Sequence, residues 1–173
     1  MKLLIQQFLI FLHSKKKSQF DYFTARNIFK NSSNILVLIP EQKELLKEIS
    51  FIIRVLQNFP KQISFLIESS LFKELNFEPS ENFILYSKKD KNFIDLPTRN
   101  LIDRLQQRGF DLVIDFNLDA SNFHYWITKN LNAKFKFGLY RKNSTLFNNL
   151  VMKVNNIENV RSIYENFLFL LKL

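Results

Sequence analysis

Short apolar runs alternate with helical periodicity from Asn34 to Leu173, and no other feature constrains the fold of this chain as tightly. The first run, ILVLI at 35–39, stops at Pro40, as a buried parallel strand does. In EQKELLKEISFIIRVLQNF, Leu45, Ile49, Ile52, Ile53 and Leu56 then share one face, with Glu44, Lys47 and Glu48 on the other. Glu41 and Glu44 stand at the start of that helix, where its dipole favours carboxylates, and Pro60 closes it. Further strands are expected at 62–68 (QISFLIE), 82–87 (NFILYS), 110–117 (FDLVIDFN) and 134–141 (KFKFGLYR). A short helix or turn is expected at 69–76, and helices over TRNLIDRLQQRG with Leu101, Ile102 and Leu105 inward and at 120–132 with Ser121 or Asp119 as N-cap. A last helix at 159–173 turns Ile163, Phe167, Leu170 and Leu171 inward. Gly109 is a helix stop, KKDKNFIDLP a polar loop.

This order predicts an α/β fold: a Rossmann-like parallel sheet of about five strands with helices on both faces. The domain spans 34–173, preceded by a basic helical arm at 1–33. In such sheets a ligand sits beyond the carboxyl ends of the strands, here near Glu41, Ser69, Lys88, Asp115 to Asn117, and Arg141.

Scarcities exclude several chemistries. Gly109 and Gly138 are the only glycines, so neither a G-x-G-x-x-G turn nor a Walker A loop can form. Without cysteine there is no disulfide, thiolate zinc site or thiol nucleophile. The two histidines, His13 and His124, lack metal-ligand spacing, and neither a metal nor a cofactor is expected. A hydrophobic fraction of 46% against 24% charged residues is the balance of a folded chain. The net charge of +9 favours anionic partners, yet a chain rich in Phe, Lys, Asn and Ile is also what AT-rich coding produces.

The opening MKLLIQQFLIFLHSKKKSQF has an apolar part too short to span a bilayer, and no small-residue cleavage site follows it. It reads as a helix with two fates left open. It packs on protein, or it lies in a membrane interface with Phe8 and Phe11 in the apolar layer and Lys15, Lys16 and Lys17 over anionic lipid. A second helix is expected from Asp21 to Phe29, ended by KNSSN.

Asp115 and Asn117 fall at a strand end, where a ligand could bind or where Asp115 could cap the following turn. Asp111 reads as a surface residue, His124 as a packed helix histidine, and RKNS at 141–144 as a solvated basic turn able to meet phosphate or a sugar acid. Interleaved KFKFGLYRK could stack single-stranded nucleic acid, but a half-buried strand with Phe135, Phe137 and Leu139 on one face accounts for it.

The stretch FDLVIDFNLDASNFHYWITKNLNAKFKFGLYR at 110–141 resembles the N-terminal domain of glycosyltransferase family 9, the lipopolysaccharide heptosyltransferases. Asp111, Asp115, Asn117, Ser121, Ala133, Gly138 and Arg141 fall in register with that family's pattern, and NILVLI and LQNFP match its first strand and helix end. The resemblance covers about 34–173 and implies one half of a GT-B architecture, with Asp115, Asn117, Ser121 and Arg141 as ligand-binding candidates. Two departures accompany it. The family's glycine loop with its catalytic Asp is replaced by PEQKELLKEI, whose matching position falls near Lys43 or Glu44; Glu44 is the one weak candidate for a base, a helix there would leave it solvated, and no other catalytic residue is assigned. The family's C-terminal donor-binding domain has no counterpart. The resemblance then implies a glycosyltransferase-like protein inactive by itself, with a binding or scaffolding role in cell-envelope glycan assembly. It would be cytoplasmic or peripheral on the cytoplasmic membrane face, with envelope-assembly proteins as partners. The alternatives are the acceptor half of a split transferase, completed by a polypeptide that supplies the donor domain, and, less favoured, a nucleic-acid-binding domain.

Overall fold

The computed structural model describes residues 25–141, 144–153 and 159–171. Its elements run α1 (Ala25–Asn31), β1 (Asn34–Leu38), α2 (Leu46–Gln57), β2 (Gln62–Glu68), α3 (Ser69–Glu74), β3 (Phe83–Tyr86), α4 (Arg99–Gln106), β4 (Leu112–Asp115), α5 (Asn122–Asn130), β5 (Phe135–Leu139), β6 (Leu150–Met152) and α6 (Val160–Leu171). All six strands form one sheet in the order β3-β2-β1-β4-β5-β6, every pairing parallel. This is the doubly wound order: the chain travels outward from β1 to β3, crosses back, and leaves in the other direction from β4.

Strand alternation divides the interior. Ile35, Val37, Phe65, Ile67, Leu112, Ile114, Phe137 and Leu139 face one layer, built from α1, α2, α3 and α6. Leu36, Leu38, Leu66, Ile84 and Val113 face the other, under α4 and α5. Central strands buried on both faces need continuous apolar runs, which explains why ILVL and LVI show no polar alternation. Ile49, Ile52, Ile53 and Leu56 of α2 are all buried, as their spacing predicts.

The entry of the two central strands is tied by one carboxylate. Asp111 accepts the backbone N–H groups of Ser33 (2.9 Å) and Asn34 (3.0 Å), which also lowers its carboxyl pKa. Asp111 is exposed, yet it fixes β1 beside β4. Gly109, just past α4, has φ +65°, and a Cβ there would meet no atom within 4 Å; the conformation rather than space calls for glycine.

Four expectations differ from the structure. A sixth strand, β6, extends the sheet; its three residues are half-buried and set among asparagines, so no apolar run announces it. The helix after β1 begins with a 3-10 turn at Lys43–Leu45 and becomes α-helical only at Leu46, leaving Glu41 in the preceding loop. KKDKNFIDLP is a folded loop with Ile94 and Leu96 buried, held by Asn92 Oδ1, which accepts from both of their backbone N–H groups at 3.0 Å. In α6, Leu170 is 42% exposed, while Tyr164 and Leu168 join Ile163, Phe167 and Leu171 inside.

Candidate functional site

The doubly wound order places a crevice where β1 and β4 lie side by side and their outgoing loops part in opposite directions. A cleft of about 360 Å³ occupies that place. Glu41 and Gln42 line it from the loop after β1, and Lys91 and Asp95 from the loop after β3. Asn117 and Asp119 line it after β4, and Ser121 to Phe123 form the start of α5. Its volume lies within the ordinary range for small-molecule sites, ~300–1,000 Å³.

Glu41 is held from two sides. Its Oε1 accepts the Tyr86 hydroxyl at 2.6 Å and the Lys91 ammonium at 2.8 Å. Burial opposes ionisation of this carboxyl, while the hydrogen bonds from Lys91 and Tyr86 and the charge of Lys91 favour it, and its pKa lies below the usual value. Burial, and after it the Glu41 carboxylate, drives the Tyr86 hydroxyl pKa far upward. Across the cleft, Gln42 Nε2 donates to Asp119 Oδ2 at 3.3 Å.

Below the cleft lies a buried polar group. Asp115 is 0% exposed; its Oδ1 accepts the backbone N–H of Asn117 (3.0 Å) and the Asn117 side-chain amide (2.6 Å). Its Oδ2 pairs with the Arg141 guanidinium. Arg141 also donates to the Asp119 carbonyl at 2.8 Å, and its backbone N–H to Ser144 Oγ at 3.0 Å. Beside Asp115, Gly138 leaves room for the Asn148 side chain: a Cβ there would come 2.6 Å from Asn148 Nδ2 and 3.4 Å from Asp115 Cβ.

The structure therefore brings Asp115, Asn117, Ser121 and Arg141 together, with different parts. Asn117 and Ser121 line the cleft; Asp115 and Arg141 stand behind it. Ser121, not Asp119, is the N-cap of α5, accepting the His124 backbone N–H at 3.3 Å. The expectation of a solvated basic turn is corrected at Arg141, which is 8% exposed because it neutralises a buried carboxylate. Glu44 lies exposed in the 3-10 turn and outside the cleft lining. Phe137 and Leu139 are buried in the α6-side core, which gives the aromatic–basic interleaving its strand explanation. Sequence reasoning places Glu41 at a strand end without assigning it a role, and passes over Tyr86 and Lys91 as site residues. The available signal is Glu41 at the carboxyl end of β1, a position that helical periodicity assigns to the following helix.

His124 lies fully buried, close enough to Glu41, Lys91, Asp115 and Arg141 to feel their charges. Its ring meets Phe123 and Tyr86 edge-on, and neither ring nitrogen has a hydrogen-bond partner. Burial is the largest influence and lowers its pKa, more than Asp115 and Glu41 raise it. The folded state thus keeps His124 neutral where the unfolded chain, with the ordinary value of 6.5, takes up a proton. Stability is expected to fall as pH drops below 6.5, by up to about 1.4 kcal/mol per pH unit. Glu41 acts in a lower window, since its depressed pKa removes stability only as pH falls below 4.5. Chemical denaturation across this range should show the slope in the native chain and lose most of it in His124→Phe; an unchanged slope would count against it.

Among the described residues, no three His, Asp or Glu side chains converge in a way that could hold a metal ion. No described helix is long and apolar enough to cross a membrane. Phe8, Phe11, Lys15, Lys16 and Lys17 lie outside the described residues. What fold and site define is a doubly wound α/β domain with a polar cleft at its switch point. No family model, curated protein or solved structure matches the chain.

Proposed function

We propose that this chain is a glycosyltransferase-like sugar-binding module, which holds its ligand in the switch-point cleft and does not transfer it by itself. Its setting, on this reading, is cell-envelope glycan assembly at the cytoplasmic face. The resemblance of 110–141 to family 9 enzymes supplies the sugar, and one observation carries the rest: the state of Glu41. This is the carboxylate that follows β1 into the cleft, where a transferase of that kind would need its base. A general base works best with a pKa near the operating pH. Glu41 is instead held ionised by Lys91 and Tyr86, which suits an acceptor of hydrogen bonds better than an acceptor of protons. The cleft's remaining side chains, Gln42, Asn117 and Ser121 among them, are polar groups of the kind that fix a polyhydroxylated ligand.

Amide chemical shifts of the purified chain, followed during titration with monosaccharides and nucleotide sugars, test this directly. Shifts centred on Asn117 and Ser121 are expected, with no consumption of any nucleotide sugar. Turnover by the chain alone, lost in Glu41→Gln, would overturn the proposal; turnover only with a second polypeptide would make the chain half of a split transferase.

A further inference from the structure

Resting on that reading of the cleft as a sugar site, we propose that its ligand is an unphosphorylated sugar carrying an amino group, whose ammonium and hydroxyls donate to acceptors on the cleft walls. Two observations of different kinds lead there.

The first is charge. Glu41, Asp95 and Asp119 line the cleft against the single ammonium of Lys91. That ammonium is already engaged, 2.8 Å from Glu41 and over the rings of Phe123 (5.0 Å) and Tyr86 (5.5 Å). Arg141 stands behind the floor and is committed to Asp115. A phosphate entering here would meet more negative than positive charge, although the chain as a whole carries +9. The start of α5 would welcome an anion by its dipole, but the Ser121 cap already satisfies the His124 N–H, and Asp119 stands two residues ahead of the cap.

The second is the hydrogen-bond inventory. Both contacts of Glu41 fall on Oε1, which leaves Oε2 without a partner among the described residues. Gln42 takes Oδ2 of Asp119 and leaves Oδ1. Asn117, 1% exposed, spends its amide N–H on Asp115, so its carbonyl Oδ1 remains at the floor of the cleft. These oxygens have no protein donor among the described residues, and beside them Gln42 Oε1 is buried without a hydrogen-bond partner. A buried acceptor without a donor is costly, as at Gln42 Oε1, and a ligand rich in O–H and N–H groups satisfies it while replacing water at the open carboxylate oxygens of Glu41 and Asp119. An ammonium adds a charge-assisted bond to one of the carboxylates. A phosphate ester or sugar acid brings acceptors to acceptors.

Isothermal titration of the full chain with glucosamine, glucose and glucose 6-phosphate, at low and moderate salt, decides the matter. Glucosamine is expected to bind tighter than glucose by about tenfold, the worth of one charge-assisted hydrogen bond over a neutral one, and glucose 6-phosphate weakest. The glucosamine advantage should shrink with added salt and narrow toward unity in Glu41→Gln and in Asp119→Asn, each checked for folding by its amide spectrum. Glucose 6-phosphate binding tightest, or an amino-sugar advantage unchanged in both variants, would overturn this inference and leave the sugar-binding reading standing. No binding by any of the three would overturn both.

Discussion

Replacing Arg141 with methionine is expected to destabilise the fold by about 3–5 kcal/mol, because Asp115 then stays buried without its counter-charge. The pair has almost no contact with water: the Arg141 side chain is 5% exposed and that of Asp115 0%. Taking both charges out of water costs several kcal/mol per ion, and their attraction repays it only while both are present. The double variant Asp115→Asn with Arg141→Met should recover most of the loss. The amide oxygen introduced by Asp115→Asn can still accept the Asn117 backbone N–H, and no charge is left without a partner. Chemical denaturation of the two singles and the double gives the coupling between them. Coupling below about 0.5 kcal/mol would mean that the sites act independently. Function should follow stability here, since Asp115 fixes both the backbone and the amide of Asn117 at the cleft floor. If the cleft holds the sugar proposed for it, Arg141→Met should therefore weaken that binding as well, in the fraction that remains folded.

The fold was largely legible in the sequence because its central strands are buried on both faces. ILVL, ISFLI and LVI run with almost no polar interruption, and the helices between them repeat at 3.6. β6 was not legible: an edge strand of three half-buried residues needs no apolar run, and its place is set by pairing with β5 alone. The candidate site was legible only in its floor. Asp115, Asn117 and Ser121 sit within seven residues, so one strand end and one helix start define them. Glu41, Tyr86 and Lys91 come from three separate segments that meet only when β1, β2 and β3 pair. Periodicity alone extends the helix back over Glu41, whereas the backbone forms a loop and a 3-10 turn there. The part played by Arg141 was hidden for a similar reason. A basic residue after a strand is normally solvated, and nothing local tells that the β4 neighbour is a buried carboxylate.

Replacing Phe167 with alanine is expected to cost about 3–5 kcal/mol through a cavity on the opposite face of the sheet. Phe167 is fully buried at the centre of α6, stacked on Phe137 at 4.3 Å and tilted against Phe116 at 4.7 Å between ring centroids. One turn earlier, Tyr164 meets Phe116 edge-on, and its hydroxyl donates to the Phe116 carbonyl at 3.1 Å. These rings fasten α6 to β4 and β5, and α6 in turn packs on α1 and α2. Removing the central ring thus loosens the layer that joins the start of the domain to its end. For a domain of this size the melting temperature should fall by roughly 6–20 °C. Phe167→Leu keeps most of the apolar volume and should cost about half as much. The contrast with Arg141 separates scaffold from site. Phe167 stacks on rings that lie outside the cleft lining, so any sugar affinity of the native chain should be matched by the variant below its melting transition. A sugar affinity reduced as much by Phe167→Ala as by Arg141→Met would show that the cleft depends on overall rigidity rather than on the Asp115–Arg141 pair beneath it.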